Sequence, residues 1–191
     1  MRLIVGLGNP GRDYEGTRHN VGFELIDKLS QKLGSGPFSS RLDGLVSEWG
    51  TGESKVFLVK PQTFMNLSGR CVSKFVHFYK IPVNFLLVVC DDKDLPLGKL
   101  RIRGSGTHGG NNGLRSVQDH IGVEYPRLKI GIGQPQSGDA TSHVLGRFTG
   151  PENSVMRDSM ERAASAVETW LNDGLESCMN KFNFHPESKR E

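Results

Sequence analysis

The sequence has few cysteines and no long hydrophobic run. Its three cysteines, Cys71, Cys90 and Cys178, are far apart, odd in number and form no Cys-x-x-Cys pair. This pattern argues against a disulfide framework or a zinc site and fits a reducing compartment. No segment has the roughly 20 apolar residues that a membrane helix needs, and the apolar run near the N-terminus is too short for a signal peptide. We therefore expect a cytoplasmic protein that does not bind membranes.

A large charge of one sign is also missing. The 24 Lys and Arg residues nearly balance the 21 Asp and Glu residues, which leaves a net charge of +3. The distribution is less even, because the stretch from Lys93 to Lys129 holds seven basic residues and three acidic ones. Such a local excess of cations favours an anionic partner. Hydrophobic residues make up 36% of the chain and charged residues 24%, which is typical of a globular protein and not of a disordered one.

The length of 191 residues predicts a single domain over 1–191, with a short polar C-terminal tail at about 183–191. Segments with strand character alternate with amphipathic helical segments, which is typical of a three-layer α/β domain. Residues 85–90 are apolar at every position, as in a strand that is covered on both faces of its sheet. Residues 136–150 are polar and predict a mobile loop, and Pro151 marks the start of a long helix.

A glycine pattern after the first predicted strand matches the dinucleotide-binding fingerprint, with Gly6, Gly8 and Gly11 as its glycines. That fingerprint needs a helix that starts at the third glycine, and an acidic residue about 20 positions further on. Here the first amphipathic helix begins too late and its acidic residues lie inside it, so the sequence disfavours a nucleotide cofactor. The glycines would instead allow a tight turn that exposes Asn9. Its side chain either faces a ligand or forms an Asx-turn with its own backbone.

His19 stands at the start of the first predicted helix and is a candidate general base. A free imidazole titrates near pH 6.5, which suits proton abstraction from water at neutral pH. A carboxylate would have to orient it, and Asp91 or Asp92 at the end of the apolar strand could do so. The alternative is a capping or surface histidine. The acidic run 91–94 could instead hold Mg²⁺, although Lys93 would partly neutralise it, or it could be a solvated loop.

The segment 104–113, GSGTHGGNNG, is rich in glycine and precedes a predicted helix. Loops of this kind expose backbone N–H groups to anions or to substrate carbonyls. It lacks the Gly-Lys-Ser/Thr ending of a nucleoside triphosphate P-loop. Just before it, Lys99, Arg101 and Arg103 share one face of a predicted strand, because strand side chains alternate. These cations either contact phosphates or form the solvated face of an edge strand.

Taken together, these motifs resemble the bacterial-type peptidyl-tRNA hydrolases. The resemblance extends over essentially the whole chain, and the matching stretches are GLGNPGRDYEGTRHNVGF (6–23), KPQTFMNLSG (60–69), DDKDLPLGKLRIR (91–103), GGNNGLRSV (109–117) and PRLKIGIGQP (126–135). It implies an enzyme that hydrolyses the ester bond between a peptide and tRNA. It also implies a twisted mixed sheet with helices on both faces, no metal and no cofactor. We expect a monomer without an obligate protein partner.

The resemblance assigns roles to residues at the matching positions. His19 corresponds to the catalytic histidine of the family and Asp91 to the carboxylate that orients it. Three asparagines correspond to those that line the substrate cleft: Asn9, Asn66 and Asn112. A clamp for the 5′-phosphate of the tRNA corresponds to Arg101, Arg103 and Lys129. Apolar contact with the peptide or with the terminal adenosine at the acceptor end is expected from Tyr14, Phe64 and Met65.

The chain departs from the family pattern at two positions. Asn111 stands where many members have a histidine, so any proton transfer at that position is lost or displaced. Cys90 stands where a histidine often precedes the aspartate. Because His19 and Asp91 are both present, we expect activity to survive these changes. Two other functions remain open, namely an RNA-binding protein that has given up catalysis, and a peptidase or nucleoside phosphorylase of similar architecture, which would lack the basic clamp.

Overall fold

A computed structural model of the protein describes residues 1–135 and 139–183. In this part of the chain seven strands form one sheet: β1 (Arg2–Gly6), β2 (Ser39–Arg41), β3 (Gly44–Trp49), β4 (Val56–Pro61), β5 (Leu86–Asp92), β6 (Leu100–Arg103) and β7 (Arg127–Gly131). Their order is β2-β3-β4-β1-β5-β7-β6. Strand β1 pairs in parallel with β4 and β5, and β5 pairs in parallel with β7. The β2–β3, β3–β4 and β6–β7 pairs are antiparallel, so the sheet is mixed.

Helices cover both faces of this sheet. They are α1 (Val21–Leu33), α2 (Ser68–Phe78), α3 (Asn112–Ile121), α4 (Ala140–Leu145) and α5 (Gly150–Phe182). The buried side chains of α1 and α5 belong to one apolar core, and those of α2 and α3 belong to a second core on the opposite face. The predicted three-layer α/β fold with a mixed sheet is therefore confirmed.

The position of β5 between two helical layers explains why the sequence is most apolar at residues 85–90. Alternate side chains of β5 enter different cores: Leu87 packs on the α1 side and Leu86 and Val88 on the α2 side. Leu86 and Val88 are fully buried and Leu87 nearly so. A strand with a helical layer on each face has no polar side to present to water, so its pattern does not alternate.

The glycines of the apparent nucleotide fingerprint serve close packing between β1 and α1. A Cβ at Gly6 would lie 2.1 Å from the carbonyl oxygen of Gly22, and one at Gly22 would lie 2.8 Å from that of Val89. The start of α1 is thereby pressed against β1 and β5. Gly11, with φ at 106°, precedes only a short 3-10 turn, and α1 begins ten residues later at Val21. The chain that leads into α1 therefore passes directly over the end of β5.

The prediction of a mobile loop over 136–150 is wrong for its central part, where α4 forms. Asp139 caps this helix, because its carboxylate accepts hydrogen bonds from the backbone N–H groups of Thr141 (2.9 Å) and Ser142 (3.3 Å). Such a cap stabilises a short polar helix that has no apolar stripe to reveal it. Residues 136–138 of the predicted loop lie outside the described residues.

The predicted C-terminal tail lies almost wholly outside the described residues. Its first residue, Asn183, is described, and its side chain bonds the edge strand β6. The amide Oδ1 accepts from the N–H of Ile102 at 2.7 Å and Nδ2 donates to the carbonyl of the same residue at 3.1 Å. Within the described residues, no helix combines the length and the apolar character needed to span a bilayer.

Candidate active site

The candidate site lies at the carboxyl edge of the parallel strands β1, β4, β5 and β7. In open α/β sheets ligands bind at this edge, because the loops that follow the strands converge there. An open cleft of about 550 Å³ lies at this edge, beyond β5 and β7. The cleft is lined by His19, Asp91, Asp92, Lys93, Gly109, Gly110, Asn111, Asn112, Lys129, Ala140, Thr141 and Val144. Residues that are far apart in the sequence, including His19, Asp91, Asn112 and Lys129, are thus brought together as predicted.

His19 and Asp91 form a hydrogen-bonded pair in this cleft. The distance from His19 Nδ1 to Asp91 Oδ1 is 2.7 Å, and the two side chains are 12% and 4% exposed. A carboxylate accepts the hydrogen bond, so the proton of the neutral imidazole resides on Nδ1 and leaves Nε2 with its lone pair. Among the described residues Nε2 has no hydrogen-bond partner. The pair thus holds His19 in a fixed orientation, with Nε2 free to accept a proton.

The short 3-10 turn that carries His19, Arg18–Asn20, is held from outside by the segment between α4 and α5 and by the first turn of α5. The Arg18 backbone N–H donates to Gly146 O at 2.9 Å, and its guanidinium pairs with Glu152 at 2.8 Å and lies over the ring of Phe148. A hydrogen bond from the Thr149 backbone N–H holds the pKa of Glu152 below its usual value. Hydrogen bonds from the side chains of Thr149 and Arg18 act in the same direction. Sequence reasoning did not find this support, although Thr149 and Glu152 form a capping box, which has a recognisable spacing.

Asn111 contacts Asp91 at the same carboxylate oxygen, Oδ1, that binds His19. Its Nδ2 donates to the Asp91 carbonyl and to the carboxylate Oδ1, both at 3.2 Å. Its Oδ1 accepts from the N–H of Leu114 at 3.0 Å and so caps α3. The residue that departs from the family pattern therefore has two structural roles that an asparagine can fill together. It orients the carboxylate without titrating itself.

Asn9 is locked in place by Asn20, the last residue of the 3-10 turn that carries His19. The N–H of Asn9 donates to Asn20 Oδ1 and Asn20 Nδ2 donates back to Asn9 O, both at 2.9 Å. The Asn9 side-chain Oδ1 accepts from the N–H of Met65 at 2.8 Å. Asn9 thus uses its side chain across the edge of the sheet, and the alternative of a local Asx-turn is wrong. Asn20 makes no side-chain cap to α1.

The three carboxylates of the acidic run 91–94, at the end of β5, each have a different side-chain partner. Asp91 binds His19, Asp92 Oδ2 accepts from Lys129 Nζ at 3.0 Å, and Asp94 accepts from Lys93 at 3.1 Å. Asp92 Oδ1 also accepts from the N–H of Asp94 at 2.8 Å. Among the described residues no group of His, Cys, Asp and Glu has the arrangement of a metal site. The geometry therefore fits an orienting carboxylate with neighbouring ion pairs and gives no support to the Mg²⁺ alternative.

The basic residues at the β7–β6 end of the edge differ in how exposed they are and in whether an ion pair already engages them. Arg101 and Arg103 are exposed and alternate with buried Leu100 and Ile102, as the strand pattern predicted. Arg101 is the cross-strand partner of Lys129, so the two side chains share a face of the sheet. Lys129 is 14% exposed and is held by Asp92. Lys99 precedes β6 and is half-buried.

Arg127, one of the seven basic residues between Lys93 and Lys129, has a different role. It is 1% exposed, and its guanidinium donates to the carbonyls of Gly106 and Val123 at 2.6 and 2.8 Å. It also lies 4.2 Å over the ring of Tyr125. Arg127 therefore fixes the glycine-rich loop from below and is not available to an external anion. The sequence around Arg127, including Leu128 and Ile130, does not indicate that the arginine is buried.

The remaining predicted substrate contacts lie around the turn before α2 and the turn before α1. Tyr14 and Phe64 face each other edge to face at 6.4 Å, and Phe64 is 54% exposed. Asn66 and Asn112 are exposed, with Asn112 as the first residue of α3. Met65 is 4% exposed and belongs to the core beneath α2 and α3, so its backbone N–H reaches the site but its side chain does not.

The three cysteines are buried and do not line the cleft. Burial raises the pKa of the Cys71 thiol to about 12 and that of Cys178 to about 11, and it raises the pKa of Cys90 as well. A thiol must ionise to act as a nucleophile, so none of the three is suited to that task. Cys90, the second departure from the family pattern, points into the core and away from His19.

Comparison with known proteins gives a consistent result. A family model described as peptidyl-tRNA hydrolase matches residues 3–191. The peptidyl-tRNA hydrolase of Caldanaerobacter subterraneus is 50% identical over 184 residues, which are 96% of this chain and 100% of that protein. That of Alkaliphilus metalliredigens is 46% identical over the same shares. The crystal structure of peptidyl-tRNA hydrolase from Acinetobacter baumannii is 37% identical, with a TM-score of 0.90 over 97% of this chain and 95% of that one.

Proposed function

This chain belongs to the peptidyl-tRNA hydrolase family, and from that premise we propose that it hydrolyses the ester between a peptide and tRNA, with His19 as the general base on water. The observation that carries the proposal is the His19–Asp91 pair, whose free Nε2 faces an open cleft. The reaction needs a base near neutrality and no redox or group-transfer chemistry. The product tRNA, once released from its peptide, is free to be charged again.

In the proposed mechanism, water attacks the carbonyl carbon of the ester while His19 Nε2 takes its proton. Asp91 stabilises the imidazolium that forms and keeps the ring in the correct tautomer. The tetrahedral intermediate then collapses, the bond to the ribose oxygen breaks, and His19 returns the proton to that oxygen. The products are a tRNA with a free hydroxyl and a peptide carboxylic acid, which loses its proton to solvent and becomes a carboxylate. No serine or cysteine nucleophile takes part, so no covalent intermediate forms.

Substrate positioning is assigned to the asparagines and aromatic residues around the pair. Asn9 and Asn112 hold the peptide backbone, and Tyr14 and Phe64 contact the peptide or the terminal adenosine. The oxyanion is stabilised by Asn66 or by a loop N–H near the start of α3, where the helix dipole is positive. Donors of this kind are worth most when they are fixed before the reaction begins.

We assign tRNA binding to the basic residues at the β7–β6 end of the carboxyl edge. Arg101, Arg103 and Lys129 contact phosphates near the acceptor end, including the 5′-phosphate. Phosphate contacts fix the position of a nucleic acid without reading its sequence, which suits an enzyme that must accept many tRNAs. The expectation of a cytoplasmic monomer without cofactor stays part of this proposal.

The decisive experiment measures release of N-acetyl-aminoacyl groups from tRNA by the wild type and by His19→Ala, with unblocked aminoacyl-tRNA as a second substrate. General-base catalysis predicts that His19→Ala lowers kcat by about 100-fold or more. His77→Ala, on the exposed face of α2, is the matched control and should leave the rate unchanged. A wild-type rate in His19→Ala would refute the assigned base. Tight tRNA binding without any cleavage would point instead to an RNA-binding protein.

A further inference from the structure

A second cavity adjoins the site beyond Asn9, towards the β4–β3 side of the sheet. It has an open volume of about 750 Å³. Its lining comes from the turns that follow β1, from α1, and from β3, β4 and the residue after β4: Asn9, Pro10, Gly11, Glu15, Gly16, Asn20, Phe23, Glu24, Asp27, Leu45, Lys60 and Gln62. Of these residues the assigned mechanism uses Asn9 alone.

The cavity is acidic, and its one cation is already engaged. Three carboxylates line it, and Lys60 pairs with one of them, Asp27, at 2.5 Å. Glu24 is half-buried and has no hydrogen-bond or ion-pair partner within residues 1–135 and 139–183. Burial, and secondly the charge of Asp27, raise the pKa of Glu24. A half-buried carboxylate without a partner is unfavourable, and a cation from outside would relieve this.

A second, independent feature of the cavity points to a bound peptide. Asn9 is 92% buried, since only 8% of its surface is exposed, and it lines the cavity. Its Oδ1 and both backbone groups are bonded, but its Nδ2 has no acceptor among the described residues. This donor, on a largely buried side chain, is therefore free to bind an acceptor from a ligand. The carbonyl of an extended peptide supplies such an acceptor.

The order of the strands gives the direction in which the peptide leaves the ester. The basic residues assigned to tRNA lie on β7 and β6, the His19–Asp91 pair lies at β5, and the acidic cavity lies beyond β1 at β4 and β3. The tRNA and the peptide leave the ester carbonyl on opposite sides. A peptide that leads away from the tRNA therefore runs past Asn9 into the acidic cavity.

We infer that this cavity is a subsite for a basic side chain of the peptide, located upstream of the esterified residue, with Glu24 as the group that receives the charge. The inference rests on the proposed function. Phe23 supplies an apolar wall for the aliphatic part of a lysine or arginine, whose charged end then reaches the carboxylate. Peptides with such a residue would be released from tRNA faster than peptides with a neutral residue of the same shape.

The test compares two substrates whose lysine carries either a charged ammonium group or a neutral Nε-acetyl group. N-acetyl-lysyl-alanyl-tRNA and its Nε-acetyl-lysyl analogue are hydrolysed by the wild type, by Glu24→Gln and by Glu53→Gln. Glu53 is exposed and lies just before the amino end of β4, at the opposite edge of the sheet, so its variant makes the same charge change away from the cavity. The readout is the ratio of kcat/KM for the two substrates, in which effects common to both cancel.

We expect the wild type and Glu53→Gln to prefer the lysyl substrate by roughly fivefold, the scale of one partly exposed ion pair. In Glu24→Gln the ratio should fall towards one. The wild-type ratio should also fall as salt is raised, because salt screens the pair, and this measurement does not depend on the folding of a variant.

Equal and rapid cleavage of both substrates by the wild type would overturn the inference and leave the proposed function intact. Cleavage of neither substrate would refute the proposed function itself. A preference that survives in Glu24→Gln would overturn the assignment to this cavity.

Discussion

The centre of the carboxyl edge and its β7–β6 end hold their polar side chains in different ways. At the centre, His19, Asp91 and Asn9 are largely buried, and each has a fixed partner from a distant part of the chain. At the β7–β6 end, Arg101 and Arg103 are exposed, and neither forms an ion pair within the described residues. Lys129 is intermediate, because it is mostly buried but its charge is shared with Asp92.

This difference corresponds to two kinds of task. A proton transfer depends on the orientation of a few atoms, and buried hydrogen bonds provide that orientation before the substrate arrives. A contact with phosphate depends mainly on charge, which acts without a single fixed geometry and is weakened by salt. Substitutions at the centre should therefore lower kcat. Substitutions at the β7–β6 end should raise KM and change the dependence on salt.

The largest effect is expected for Asp91→Asn. The substitution keeps the shape of the side chain, but an amide can donate to Nδ1 and so favours the wrong tautomer of His19. By analogy with catalytic triads, kcat should fall by about 10²- to 10⁴-fold, with little change in KM. Steady-state kinetics on N-acetyl-aminoacyl-tRNA measures both constants. Asp94→Asn is the matched control and should retain the wild-type rate, since the Asp94 side chain pairs only with Lys93 among the residues that the structure describes. An active Asp91→Asn would remove the basis for the contrast between the two regions.

An intermediate effect is expected for Asn111→Asp. Aspartate caps a helix as well as asparagine does, so α3 should stay as stable. The new carboxylate would, however, repel Asp91 where the amide donates to it at 3.2 Å. We expect kcat to fall by roughly tenfold, the scale of one lost hydrogen bond to a charged group.

Asn111→Ala separates the two roles of this residue. It loses the cap as well as the donor, so its melting temperature should fall, whereas that of Asn111→Asp should not. Thermal unfolding of both variants beside their kinetics tests this. Full activity in Asn111→Asp would show that the contact with Asp91 does not contribute to catalysis.

The smallest effect is expected for Arg103→Ala at the β7–β6 end. Loss of this exposed guanidinium should raise KM by a few-fold and leave kcat nearly constant. The slope of log KM against log salt should become shallower by about one unit, because one phosphate contact is gone. Arg157→Ala, an exposed change of the same charge on α5, controls for the net charge of the protein. A decrease in kcat without a change in KM would contradict the expectation that the β7–β6 end binds tRNA and the centre of the edge carries out catalysis.

Much of this molecule followed from the sequence alone. The apolar run at residues 85–90 determined a central strand that is covered on both faces, and the alternation of strands and helices determined a three-layer fold. The order and spacing of the motifs pointed to the family, and they brought His19 and Asp91 forward as a pair. Each of these signals is local, because it depends on which residues are near one another along the chain.

Other features were decided only when distant segments met. The bond between Asn9 and Met65 joins residues 56 positions apart, and the clasp of Arg18 by Glu152 joins residues 134 apart. In neither pair does the sequence around one residue predict its contact with the other. The burial of Arg127 is a further case, since an arginine in a basic stretch is indistinguishable from its exposed neighbours until the glycine-rich loop folds over it. Only the tertiary structure decides which polar group loses its water, and a buried polar group must then find its partner within the fold.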